Sequence, residues 1–156
     1  MSRLQVPILH RILLATGDVL LRAELDLLIK DRQGLWHQET FRVDSGTDMT
    51  TMLAALAKQL DIPMPQHSVP NALHAQTGVE FRSGFLQLQV VGMDATEYAI
   101  PCFFLGDPNV ALPASRTATV SRKLVGLSGV INQLRLTFDG DPGPAAPFGY
   151  LTAEKK

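Results

Sequence analysis

Cysteine is almost missing from this chain: Cys102 is the only one in 156 residues. An internal disulfide is therefore impossible, which argues against a stapled secreted fold. Cys102 lies in the apolar run Ala99-Ile100-Pro101-Cys102-Phe103-Phe104 and reads as a small buried hydrophobe rather than a reactive thiol. Charge of one sign is missing too. Fourteen Lys and Arg stand against 15 Asp and Glu, and no basic run exceeds the pair Arg122-Lys123. That balance leaves no electrostatic footprint for nucleic acid or an anionic membrane. Long apolar runs are also lacking, because Met1 to Leu21 is interrupted by His10, Arg11 and Asp18. Neither a signal peptide nor the roughly 20 apolar residues of a membrane span can be read there. The expectation is a cytoplasmic protein with no nucleic-acid and no membrane partner.

Familiar chemical signatures are absent as well. His10, His37, His67 and His74 stand at no metal-ligand spacing, so neither a metal nor any other cofactor is expected. No phosphate loop or dinucleotide fingerprint occurs. Gly126-Leu127-Ser128-Gly129 places its glycine one position early for a nucleophile elbow.

What is present is mostly β-periodic. Arg22, Glu24 and Asp26 alternate with apolar residues, Lys30 to Gly34 is turn material, and Trp36 to Val43 alternates again. Residues 20 to 43 thus predict a β-hairpin. Met49, Met52, Leu53, Leu56 and Leu60 then fall on one helical face, with Thr47 or Asp48 as cap and Asp61-Ile62-Pro63 as stop. Further strands are predicted at Phe85 to Val91, Tyr98 to Leu105, Lys123 to Gly126 and Leu134 to Phe138, with a short helix at Ser128 to Gln133. The stretch from Asp141, with three prolines before Phe148, reads as a poorly ordered tail. The division is one domain over residues 1–140 and a Pro/Gly-rich C-terminal tail over 141–156.

One motif carries chemistry. In Val43-Asp44-Ser45-Gly46-Thr47 an aspartate ends an apolar strand at a backbone turn, a placement used for acid–base work by paired carboxylates. Asp-Ser-Gly is also a common turn tripeptide, so its context matters. The first motif, Phe41-Arg42-Val43-Asp44-Ser45-Gly46-Thr47-Asp48, resembles the apolar–Asp–Ser/Thr–Gly pattern of the retroviral-type, single-domain aspartic proteases, the retropepsin-like family. The helix after it and the run Val130 to Gly140 look like those of bacterial members, and Leu124-Val125-Gly126 resembles the family's second motif of two apolar residues and glycine.

The resemblance implies a mainly β fold: a closed β-barrel or acid-protease half-fold with one clear helix and one short one, working as a homodimer on extended polypeptides. Asp44 would be the catalytic residue of an aspartic endopeptidase, a hydrolase. Ser45 would hold the two active-site loops together across the dimer, Gly46 would offer its backbone to substrate, and Thr47 would hydrogen-bond near the outer carboxylate oxygen. Val125 and Gly126 would pack beneath the loop. A flap between Ala72 and Leu88, including Gln76, Thr77 and Gly78 and with its tip near Gly78 to Gly84, would cover the substrate.

The chain departs from the retroviral pattern in three places. Leu127 replaces the arginine that pairs with an aspartate at the place of Asp48, leaving Arg122 or Arg135 to supply that brace. The flap region is poorer in glycine. The stretch after Gly140 does not read as the terminal strand through which retroviral protomers interleave. An alternative keeps the fold without catalysis, as a dimerisation or peptide-binding module, and a remoter one is a β-rich carrier of a small ligand.

Overall fold

A computed structural model describes residues 2–68, 80–114 and 122–156. The chain is mainly β. After β1 (Arg3–Pro7) and β2 (Leu9–Ile12), the hairpin read from the alternation forms as β3 (Val19–Lys30) and β4 (Trp36–Val43), paired from Ala23↔Val43 to Lys30↔Trp36. Ala23, Leu25, Leu27 and Ile29 face inward and are buried, while the residues between them remain partly exposed. The turn between the strands is held by Asp31, whose Oδ1 accepts the N–H groups of Gln33 and Leu35 at 2.8 and 2.9 Å. Its Oδ2 lies 2.8 Å from His37 Nε2, and Gly34 supplies the left-handed residue with φ +84°.

Residues 49–60 depart from the helical expectation. Thr50–Leu53 form a strand, β5, and only Ala54–Gln59 form a helix, α1, with no side chain capping it. Thr47 and Asp48 belong instead to the connection from β4. Every residue of β5 is buried, so the strand has no alternating pattern, and its apolar residues continue into the helix as one helical stripe. The alanines favour α1, and the chain leaves it through Asp61 at φ +55° before Pro63.

Strands β6 (Phe81–Val90) and β7 (Tyr98–Leu105) form an antiparallel pair from Phe81↔Leu105 to Leu88↔Tyr98. The short β8 (Leu124–Val125) completes a sheet ordered β2-β3-β4-β8-β5-β7-β6, in which β6 also pairs with β3 through Leu27↔Val90 to Ile29↔Leu88. The core lies inside this curl, with Phe41, Met52, Leu86, Leu88, Cys102 and Phe104 at its centre. Burial pushes the Cys102 thiol well above the usual thiol range, in keeping with its reading as a packing residue. The interior void among Leu25, Leu88, Ile100, Val125 and Val130 is about 10 Å³, at most the room of a single water.

Two further expectations need correction. Residues 128–133 form successive turns, such as Val130 N–H to Leu127 O and Gln133 N–H to Val130 O, rather than a short helix. The stretch after Gly140 is not a disordered tail. Tyr150–Lys155 form β10, the middle strand of a second sheet between β1 and β9 (Leu134–Asp139). Leu151 and Ala153 are fully buried, and Gly149 at φ +90° lets the backbone pass so close to Asp139 that a Cβ would overlap its carbonyl. The prolines mark a compact turn, closed by Gly143 N–H to Ala146 O at 3.0 Å and its reciprocal bond at 3.1 Å.

Two predictions arise here. Leu151→Ala should cost about 2–5 kcal/mol of stability, as expected for a filled core site, and deleting 150–156 should abolish cooperative unfolding; a tail would tolerate both, and denaturant titration decides. The second concerns acid. The hydrogen bond from His37 holds the Asp31 carboxyl below the usual carboxylate range, with the Leu35 and Gln33 N–H groups adding to it and burial opposing it. A lowered folded-state value means the unfolded chain binds the extra proton. The contribution is thus complete above the unfolded value near pH ~4 and is lost as pH falls through the folded value. Asp31→Asn should therefore melt below wild type at neutral pH, with the difference closing in strong acid; an equal gap throughout the pH series would refute the assignment.

Candidate active site

Asp44 follows the last residue of β4, where the chain must turn back into β5, but the two strands are not neighbours. Between them lies β8, parallel to β4 through Arg42↔Leu124 and Val43↔Val125 and antiparallel to β5 at Thr51↔Leu124. The loop 44–49 consequently arches over the end of a strand from a remote part of the chain, and four hydrogen bonds fasten the two. Asp44 N–H donates to Val125 O at 3.1 Å, Leu127 N–H to Thr47 O at 3.1 Å, Ser128 N–H to Asp48 O at 2.7 Å, and Gly126 N–H to the buried Thr50 Oγ1 at 3.2 Å. Thr51 Oγ1 adds a bond to Arg122 O at 3.0 Å, and Lys123 Nζ reaches across to Glu39 on β4.

Gly126 is there for space. A Cβ on it would lie 2.5 Å from the Met49 carbonyl oxygen and 2.8 Å from that of Asp48. These are backbone atoms in a hydrogen-bonded loop, so they cannot swing aside. Val125, the residue before it, is buried, and its carbonyl accepts the Asp44 N–H.

Inside the loop, Gly46 N–H donates to Asp44 Oδ1 at 2.9 Å, and Thr47 N–H donates to Asp44 O at 3.3 Å. The carboxylate is thereby steered by a backbone donor two residues on, in an Asx-type turn. A Cβ on Gly46 would come within 3.2 Å of that same Oδ1. Asp44 is half-buried and Ser45 and Gly46 are exposed. Asp44 and Ser45 line an open cleft of about 230 Å³ whose walls include Ile8, Leu21, Val43 and Phe138, with Arg22 and Arg42 as its cations. The cleft thus sets one carboxylate and two guanidinium groups beside an apolar wall.

The structure brings Asp44, Ser45, Gly46, Thr47, Val125 and Gly126 together. Gln76, Thr77 and Gly78 lie outside the described residues. The part of the expected flap from Phe81 to Leu88 belongs to the body of the sheet as β6, and Gly84 pairs with Cys102 while packing against Phe104 and Pro65. Gly84 is therefore not a flap tip. Arg135 pairs with Glu154 in the second sheet rather than bracing Asp48, and the tie at that place is the backbone bond from Ser128 to Asp48. Sequence reading missed Thr50, whose hydroxyl accepts the Gly126 N–H, and the Lys123–Glu39 pair. Thr50 carried no signal because it was read into a helix. Among the described residues no group of three or more His, Cys, Asp or Glu is placed to hold a metal ion, and no helix is long and apolar enough to cross a membrane.

No protein-family model matches the chain, and no curated protein matches it. Among solved structures, the fold is similar to that of a retropepsin-like aspartic protease from Rickettsia conorii, with a TM-score of 0.47 and 12% sequence identity over 86% of this chain and 94% of that one.

The packing at Gly126 makes a direct prediction. Gly126→Ala should wedge β8 away from Met49, cost at least the ~1–3 kcal/mol of an overpacked core site, and disorder the Asp44 loop. Thermal melts and amide exchange at residues 44–50 measure this; a variant with wild-type exchange there would contradict the packing argument.

Proposed function

We propose that this protein is an aspartic endopeptidase that works as a homodimer, with Asp44 of each chain forming the catalytic pair. The observation that carries the reading is the fixed placement of Asp44, its carboxylate held by the Gly46 N–H on a loop pinned across β8 and open to a cleft. Asp-Ser-Gly occurs once in the chain, so the second carboxylate of a pair comes from another copy. A two-fold axis beside Asp44 supplies it, with each protomer giving the other the same residues.

Two carboxylates in contact hold one proton between them, because like charges at that distance resist a second ionisation. The charged member takes a proton from water as the water oxygen attacks the peptide carbonyl carbon. The protonated member hydrogen-bonds the carbonyl oxygen, which carries the charge developing in the transition state. Collapse of the tetrahedral species breaks the C–N bond as a proton passes to the departing nitrogen. Ser45 and Thr47 support the loop, Gly46 orients the carboxylate, and Val125 with Gly126 form its floor. The substrate is an extended polypeptide taken up through its backbone, the geometry in which a strand is added. A flap containing Gln76, Thr77 and Gly78 belongs to the same proposal, as does a cytoplasmic location, for a domain that includes β10 rather than ending at residue 140.

The test joins the pair to the dimer. Purified protein should cleave unfolded casein on the acid side of neutral, yield to statine-type peptides that mimic the tetrahedral species, and resist chelators and thiol reagents. Activity per chain should fall on dilution. Asp44→Asn, mixed in tenfold excess and allowed to exchange, should leave only about one wild-type chain in eleven with a wild-type partner and remove activity in proportion. If the variant associates with wild type and activity per wild-type chain stays unchanged, each chain acts alone and the reading fails.

A further inference from the structure

Strand β3 is longer than the hairpin it forms with β4. Its inward-facing row runs through Ile29, Leu27, Leu25 and Ala23, all buried, and then continues through Leu21 and Val19, which are 49% and 46% exposed. β4 ends at Val43, opposite Ala23, where the chain turns into the Asp44 loop. Beyond that point β3 has only β2 for a partner, with Leu9↔Arg22, His10↔Leu21, Arg11↔Leu20 and Ile12↔Val19. Opposed residues share a face in an antiparallel pair, so Ile12, Val19 and Leu21 lie on one face of a two-stranded ribbon with His10, whose ring packs 4.8 Å from that of Phe148. Ile12 is 54% exposed, and Leu14 at the tip is 96% exposed. The ribbon is nonetheless well made. Leu13 N–H donates to Asp18 O at 2.9 Å, Gly17 N–H to Leu13 O at 2.7 Å, and Thr16 Oγ1 to Asp18 Oδ2 at 2.6 Å.

An ordered two-stranded ribbon is marginal in water while apolar residues such as Ile12 and Val19 on its face stay about half exposed. Its position says what covers them. Leu21 lines the same cleft as Asp44, so the base of the ribbon stands beside the carboxylate, and the four residues 19–22 carry it about 13 Å past the end of β4 at ~3.3 Å each. Resting on the homodimeric reading above, the two-fold axis passes beside Asp44. An element that starts at the axis and projects from the body of its own chain in the direction of β4 meets the other chain. Six of the eleven exposed large apolar residues among the described residues, Leu9, Ile12, Leu14, Val19, Leu20 and Leu21, lie on this ribbon, a concentration of the kind that marks a protein–protein contact.

We infer that the ribbon 9–22 is the principal contact between two copies of this chain, its Ile12–Val19 pair and Leu14 tip buried against the partner while Leu21 stays at the Asp44 cleft. The arrangement makes assembly and completion of the carboxylate pair one event, because the surface that recruits the second chain adjoins the residue that needs it.

Sedimentation velocity on the full chain tests this, with the double variant Ile12→Glu/Val19→Glu and the control Val110→Glu, an exposed apolar site outside the ribbon. Wild type and control should sediment as dimers at micromolar concentration, and the ribbon variant as a monomer with a dissociation constant raised about 100-fold or more. Circular dichroism should show the fold intact, since the substituted positions are exposed. Should the double variant fail to fold, wild-type amide exchange at 9–22 is the measurement, and it should slow as concentration rises. A dimer that survives the double substitution overturns the inference, as does a wild type that is monomeric throughout. So does exchange at 9–22 that ignores concentration, or equal dissociation of the Val110 control. Casein cleavage separates this from the protease reading. A ribbon-dependent dimer without hydrolysis sinks only the enzyme, whereas hydrolysis by a dimer indifferent to the ribbon sinks only the interface.

Discussion

The insertion of Leu124 and Val125 between two strands that are neighbours in sequence is the constraint on which the candidate site depends. Without β8, β4 and β5 would close on one another as an ordinary hairpin, and Asp44-Ser45-Gly46 would be a free turn. With β8 in place, the connection must cross the end of a strand, and the N–H and C=O groups of that crossing find partners on residues 125–128. Each bond is worth only about 1 kcal/mol net, but leaving its buried groups unpaired would cost more, so the set is made or lost together. Gly126 is the residue that lets the two backbones come close enough for this to happen.

The rest of the molecule serves that crossing. Cross-strand ties outside the core hold β3 to β4 by Thr40 Oγ1 to Asp26 Oδ1 at 2.6 Å, and β8 to β4 by Lys123 to Glu39. Lys123 is nearly fully buried, and its ammonium is compensated by the carboxylate it meets. The second sheet, β1-β10-β9, joins both ends of the described chain to the body, so the strand entering the molecule and the strand leaving it pair directly. The apolar interior is packed nearly without void. Among the described residues the open clefts include the one at Asp44, with the ribbon beside it, and a larger one of about 740 Å³ walled by Lys30, Asp31, Pro63 and Phe85.

The hairpin 20–43, the strands around 85–91 and 98–105, and the strand before Gly126 were legible because each shows one wet and one dry face, or a short apolar run between turn residues. Others were not: no strand was read at β1 or β2, and three further elements were misread. β5 is buried on both sides, so Thr50 to Leu53 present no alternation and merge with the helix that follows. β10 is built from Leu, Thr and Ala behind a run of prolines, and its burial comes from its position between β1 and β9 rather than from large side chains. Residues 128–133 have the hydrogen-bonding of successive turns, which composition does not separate from a short helix.

For the candidate site, the chain alone determines its local chemistry: an aspartate at the end of an apolar strand, followed by Ser-Gly, with an apolar–apolar–Gly tripeptide far downstream. Local sequence reports local burial and turn propensity, and those are properties of neighbouring residues. Only the tertiary structure decides that the two tripeptides meet, that the Ser128 N–H rather than an arginine ties Asp48, that Thr50 answers the Gly126 N–H, and that β3 outruns its partner to leave an apolar ribbon beside Asp44. These are backbone pairings and close approaches between remote segments. A hydrogen bond between main-chain groups has nearly the same chemistry for any side chain, so its partner leaves no mark in the residues that make it.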